Sequence, residues 1–133
     1  MFDRLPTVAV IFALLAAAIH VMFFVLESVL FRRPFAWRTF GISNQQDAET
    51  TRDWALNQGF YNLFLAVGVV VGVLLQVSGD AATVAAGVGM VLLGTASMVG
   101  AAVVLLVTKP ALLRGVAIQG IAPLLAILSV LIL

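Results

Sequence analysis

The chain has no cysteine, and that one absence removes disulfides, thiol redox chemistry, thiolate metal sites and any acyl or prenyl anchor on sulfur. Charge is almost as scarce. Asp, Glu, Lys and Arg make up 10% of 133 residues, against about a quarter in a soluble domain, too little to cover a globule in water. The single histidine and the sparse carboxylates fall short of the ligand set of a zinc site, so neither a metal nor a cofactor is expected. No basic surface with interleaved aromatics is present to support a nucleic-acid partner, and the net charge of +1 is uninformative.

What is there is apolar: 63% hydrophobic residues and a mean hydropathy of +1.19. Four segments, 8–30, 54–76, 81–107 and 116–133, are long enough to cross about 30 Å of hydrocarbon at about 1.5 Å per residue. The expectation is an all-α, four-transmembrane-helix bundle of antiparallel up-down topology, one membrane domain over 1–133 with lipid as its surroundings. Ala16, Ala17 and Ala18 have the composition of a signal-peptidase site. The apolar run continues past them to Leu26, so the first segment is read as a span and not as a cleaved leader.

Arg32, Arg33, Arg38 and Arg52 lie between the first and second segments, Lys109 and Arg114 between the third and fourth, and Arg4 stands alone at the other end. By the positive-inside rule both termini are extracytoplasmic.

The hydrophilic stretch 31–53 is read as an interfacial loop and helix between helices 1 and 2. Pro34 ends the first helix, Phe35, Trp37 and Phe40 beside arginines suit headgroup depth, and the break after Gly41 is the natural hinge. Ser43 with Gln46 fits a capping box, which starts a polar helix near residue 44 able to merge with the 54–76 span. Asp80 is placed to cap the third span, making spans two and three antiparallel neighbours. Gly68 with Gly72 forms a GxxxG, and Ala81, Ala85 and Gly89 continue a small-residue spacing suited to close packing, or to a homodimer.

Function is sought where polarity interrupts the spans. His20 and Glu27 are seven residues apart, two turns of about 3.6 residues, so they share a face. Glu27, Asn57, Gln58 and Gln119 each lie five or six residues from a boundary arginine, roughly 8 Å inward at about 1.5 Å per residue; His20 and Asn62 lie deeper. Tyr61 borders the face that carries Gln58 and Asn62. A buried carboxylate needs donors, and amides and a phenol supply them without a compensating charge. The site set is therefore His20, Glu27, Asn57, Gln58, Tyr61, Asn62 and Gln119, ligand-binding or proton-linked. Bland readings compete: Glu27 pairing with Arg32 or Arg33 at the boundary, His20 bridging helices, and the amides acting as interhelical glue.

At these residues the chain resembles the DUF1304 family of small bacterial membrane proteins. The matching elements are His20, Glu27 and Phe31; Phe40, Gly41, Ile42 and Ser43; Asn57, Gln58, Gly59, Phe60, Tyr61 and Asn62 with Leu65 and Ala66; and Gln119, Gly120, Ile121, Ala122 and Pro123. The resemblance spans nearly the whole chain, the run from Asn57 to Asn62 being its most specific part. It departs after Phe31, where a tryptophan is expected at once and Trp37 comes later. It implies a four-helix protein of the bacterial inner membrane and names no reaction.

Three functions fit these residues. The first is a cytoplasm-facing cavity that binds or transports a small polar or amphipathic ligand, coupled to a proton on Glu27. The second is an intramembrane enzyme acting on a lipid or quinone-like substrate with His20 and Glu27 as acid and base. The third is a scaffold or accessory subunit held together by its polar belt.

Overall fold

The structure, a computed structural model, describes residues 4–133. Helix α1 (Thr7–Phe24) follows Pro6 and passes directly into a π-helical turn at Val25–Val29, closed by the Leu30 amide donating to the Val25 carbonyl at 2.8 Å. Pro34 occupies the first turn of the short helix α2 (Pro34–Thr39), where its missing N–H costs nothing. Gly41, at φ 79°, then turns the chain into α3 (Gln45–Leu74), which ends in a 3₁₀ turn at Leu75–Val77. Helix α4 (Ala81–Thr108) and a 3₁₀ turn at Pro110–Leu112 lead into α5 (Leu113–Ile132). Four of these helical stretches are long and apolar enough to cross a membrane: Thr7–Val29, Gln45–Val77, Ala81–Thr108 and Pro110–Ile132.

The four long helices form a square in chain order. α1 packs on α3 and α5, and α4 packs on the same two from the opposite corner. On α1 the inward seam reads Ala9, Ala13, Ala16, His20 and Phe23, steps of three and four residues that hold one face of a helix. Alanines let the neighbouring helices come close, and His20 thereby sits on the core seam, 1% exposed. Larger residues of the same helix, Ile11, Leu14, Leu15 and Met22, face outward to lipid.

The end of the bundle away from the arginine-rich loops is tied by Gln76. Its Nε2 donates to the carbonyls of Gly72 (3.2 Å) and Val84 (3.3 Å), while its Oε1 accepts from the Leu5 amide at 3.2 Å. One buried amide thus joins α3, α4 and the segment before α1, which the sequence reading used only as the edge of a span. Asp80 caps α4, accepting from the Thr83 hydroxyl (2.7 Å) and the Thr83 amide (2.8 Å).

Three expectations need correction. α3 is capped by Asn44 and not by Ser43: Asn44 Oδ1 accepts from the Asp47 amide at 2.9 Å, and its Nδ2 donates to the Asp47 carboxylate at 2.7 Å. The fourth helix begins at Leu113 and not at 116, because the helical backbone continues past the apolar window to include Arg114. The small-residue contact between α3 and α4 uses Gly72, Gly87 and Gly94, whereas Gly68 and Gly89 face open space. A Cβ on Gly72 would meet the Gly87 carbonyl oxygen at 2.8 Å, and one on Gly87 would meet that of Gly72 at 2.6 Å. These backbones touch: Gly72 of the GxxxG pair makes the contact and Gly68 does not.

Gly72→Ala and Gly87→Ala are expected each to lower the unfolding temperature in detergent, at a cost of about 1–3 kcal/mol for overpacking, while Gly68→Ala and Gly89→Ala leave it unchanged or raise it. Equal effects at all four positions would remove the backbone contact as the cause. Asp80 supplies a pH test. The Thr83 hydroxyl first, and then the Thr83 amide, stabilise its carboxylate and hold its pKa below the usual value. The cap therefore contributes above the unfolded-state pKa and is lost as pH falls through the folded one. Acid destabilisation measured by thermal melts should shrink in Asp80→Asn, which keeps the acceptor oxygen and does not titrate.

Candidate functional site

The π turn is the local feature that builds the site. It inserts a residue into the α1 ladder, as π turns do, and re-aims the side chains that follow. Glu27 lies at its centre and is half-buried. Its Oε2 accepts from Asn62 Nδ2 on α3 at 2.7 Å, so the carboxylate is held by a neutral amide and not by a basic side chain. Beside it, Ser28 Oγ donates to the Leu56 carbonyl of α3 at 3.0 Å.

These two bonds require α3 to lie almost against the π turn, and Gly59 makes that approach. A Cβ at position 59 would overlap Ser28 Oγ and meet Glu27 Cβ at 3.1 Å. Glycine at the centre of the Asn57–Asn62 run is thus a packing requirement of the site.

Glu27 opens onto a cleft of about 550 Å³. Asn57 and Gln58 line it beside the carboxylate, Phe31, Phe40, Ile42 and Trp54 give it apolar walls, and Lys109 reaches it from the loop between α4 and α5. The cleft therefore combines a carboxylate, two primary amides, aromatic surface and one ammonium, a mixture suited to a small amphipathic molecule.

The expected residues separate into three groups. Glu27, Asn57 and Gln58 line the cleft, and Asn62 stands behind them, buried and bonded to Glu27. Tyr61 is 60% exposed on the outer face of α3, and half-buried Gln119 lies on α5, neither of them lining the cleft. His20 is enclosed in the core seam: its Nδ1 donates to the Ala16 carbonyl at 2.9 Å, and its ring packs edge-on to Phe23 at 5.9 Å. A carbonyl can only accept, so Nδ1 carries the proton in this bond. No hydrogen bond joins His20 to Glu27 among the described residues. Gln119 has a backbone role as well, since Pro123 four residues on has no N–H to offer its carbonyl.

Counting residues from the boundary arginines pairs Glu27 with Asn57 and Gln58, yet the bond is to Asn62, a turn deeper. Side chains on a helix lean toward its N-terminus. On antiparallel α1 and α3, Glu27 leans inward and Asn62 leans back toward the loops, so they meet across a difference in Cα depth. Gly59, Ser28 and Lys109 are absent from the site set read from the sequence. Gly59 was legible as a glycine between two amides on a polar helix face, but the Ser28 and Lys109 contacts depend on the π turn and on loop placement.

Gly59→Ala is expected to push α3 away from the π turn and to lower stability by about 1–3 kcal/mol. Removing the obstructing hydroxyl with Ser28→Ala in the same chain should recover part of the loss in a thermal melt; strictly additive effects would show that the two residues do not meet.

Searches of the curated proteins and of the solved structures found no match. A family model described as a protein of unknown function (DUF1304) matches residues 14–131, taking in the π turn, the Asn57–Asn62 run and most of α5. The chain thus belongs to the DUF1304 family, and it carries four helices long and apolar enough to cross a membrane, with a glutamate in a π turn at the end of the first.

Proposed function

We propose that the cleft in front of Glu27 binds a small amphipathic molecule and passes it on in exchange for a proton. The observation that carries this reading is the carboxylate itself, held by one neutral amide donor beside a cleft lined with further amides and aromatic side chains. A carboxylate at membrane depth is costly, and such groups usually mark ligand or proton pathways. A partner bringing an ammonium or a strong hydrogen-bond donor offsets that cost, and its apolar body fits against Phe31, Phe40, Ile42 and Trp54.

The reading includes an orientation. Six of the seven basic residues lie in or beside the two connections at the cleft end, which by the positive-inside rule is the cytoplasmic side of the inner membrane, with both termini outside. The ligand then enters from the cytoplasm, past Lys109. That ammonium repels a simple cation and favours a molecule with an acceptor at its outer end.

The enzyme reading needs His20 and Glu27 to share a substrate, and the enclosure of His20 in the α1 seam gives it no support. The scaffold reading draws on the Gly72 and Gly87 contact, which is internal to the chain and leaves a homodimer without a surface assigned to it.

The test uses radiolabelled phenethylammonium, a compact aromatic cation, and the full chain in lipid nanodiscs. A cation and a proton compete for one carboxylate, so affinity is expected to rise with pH while the amine stays charged. Glu27→Gln should remove that pH dependence and weaken binding roughly thirtyfold. Lys109→Gln should strengthen it, most at low salt. Binding that is unchanged by Glu27→Gln would end the proposal.

A further inference from the structure

A second cavity, of about 420 Å³, lies between the turn that precedes α2, α2 itself and the polar start of α3, lined by Phe31, Arg32, Trp37, Gln45, Glu49 and Arg52 with Ala48. It belongs to the loop end of the bundle and does not contain Glu27, Asn57 or Gln58. Trp37 is its most informative wall. The indole is 3% exposed, packed in a small cluster with Phe31 and Ala48, and Arg38 sits over its ring at 5.2 Å from the centroid. Its Nε1 is fully buried and has no acceptor among the described residues.

A buried indole N–H without an acceptor is uncommon, because the donor loses water and gains nothing in return. The remaining walls indicate what would satisfy it. Arg32 and Arg52 are both exposed and bring two guanidinium groups to one cavity, and the only opposing charge there, Glu49, already accepts from Gln45 Nε2 at 2.9 Å. The cavity is therefore a cluster of donors with excess positive charge. Long, rotatable arginine and glutamine side chains make up much of its rim. Phe35, 57% exposed two residues before Trp37 on α2, suits headgroup level, where aromatic and basic residues meet the bilayer surface.

We propose that this cavity binds the phosphoryl group of an anionic phospholipid, with a phosphate oxygen accepting from Trp37 Nε1 and the guanidinium groups of Arg32 and Arg52 pairing the others. Planar guanidinium forks match phosphate geometry, and the negative surface of the cytoplasmic leaflet supplies the ligand at high local concentration. The lipid then ties α2 to the start of α3, two elements joined otherwise through the Phe31, Trp37 and Ala48 cluster.

Phosphate chemistry has two sources, a lipid headgroup and the free anion, and the experiment separates them. The full chain is placed in nanodiscs of phosphatidylcholine containing a minor fraction of phosphatidylglycerol, and co-isolated lipid is counted by native mass spectrometry after release. Enrichment of phosphatidylglycerol is expected, falling about fivefold for each of Arg32→Gln and Arg52→Gln. Trp37→Phe, which removes only the N–H from a ring of similar shape, should also reduce it. The two arginine variants are at exposed positions and leave the fold intact, so they test the site even if the tryptophan variant unfolds. In a parallel arm, inorganic phosphate is titrated into pure phosphatidylcholine nanodiscs of Trp54→Phe, whose remaining tryptophan is Trp37. A saturating change in its emission without phosphatidylglycerol enrichment in the first arm would overturn the lipid in favour of the free anion. Enrichment that survives both arginine substitutions would overturn the site.

Discussion

Helices in hydrocarbon gain little from hiding apolar side chains, so this bundle depends on backbones that touch. The contact of Gly72 with Gly87 on one side of α3, and of Gly59 with the π turn on the other, brings α3 close to both neighbours. From that closeness follow the bonds that single side chains can then make: Gln76 across α3 and α4, Ser28 to the Leu56 carbonyl, and Asn62 to Glu27. α3 is the common member of all of them. Its alternation of small and amide residues serves packing and polarity with the same helix face.

The π turn sets the chemistry on this frame. Its wider ring places Glu27 and Ser28 side by side against α3, one bonding a side chain and the other a backbone carbonyl. The irregularity falls on the one carboxylate within the apolar segments 8–30, 54–76, 81–107 and 116–133, in keeping with the tendency of π turns to occur at functional positions.

Much of the fold was legible because composition and span length leave a chain like this few alternatives. The four helices, the break before Pro34 and the Asp80 cap all rest on strong local signals. The Asn44 cap was missed by one residue because Ser43 and Asn44 are both good caps and only the distance to Asp47 distinguishes them. Glu27, Asn57, Gln58 and Asn62 were readable as costly polar groups. Their pairing was not, since residue counting gives Cα depth and ignores the lean of side chains on antiparallel helices. His20 looked like a partner for Glu27 by spacing, yet Glu27 sits inside the π turn that follows α1 and His20 Nδ1 is bonded to the Ala16 carbonyl. Trp37 read as an interfacial aromatic, and nothing in the sequence showed that its N–H would be buried.

Phe31 is a wall of both cavities, with the Glu27 cleft on one side and the Trp37 cavity on the other. A ring in that place is common ground: were both chambers filled, the two occupants would meet the same side chain, and by reciprocity any penalty or help the first imposed on the second would be returned in equal measure.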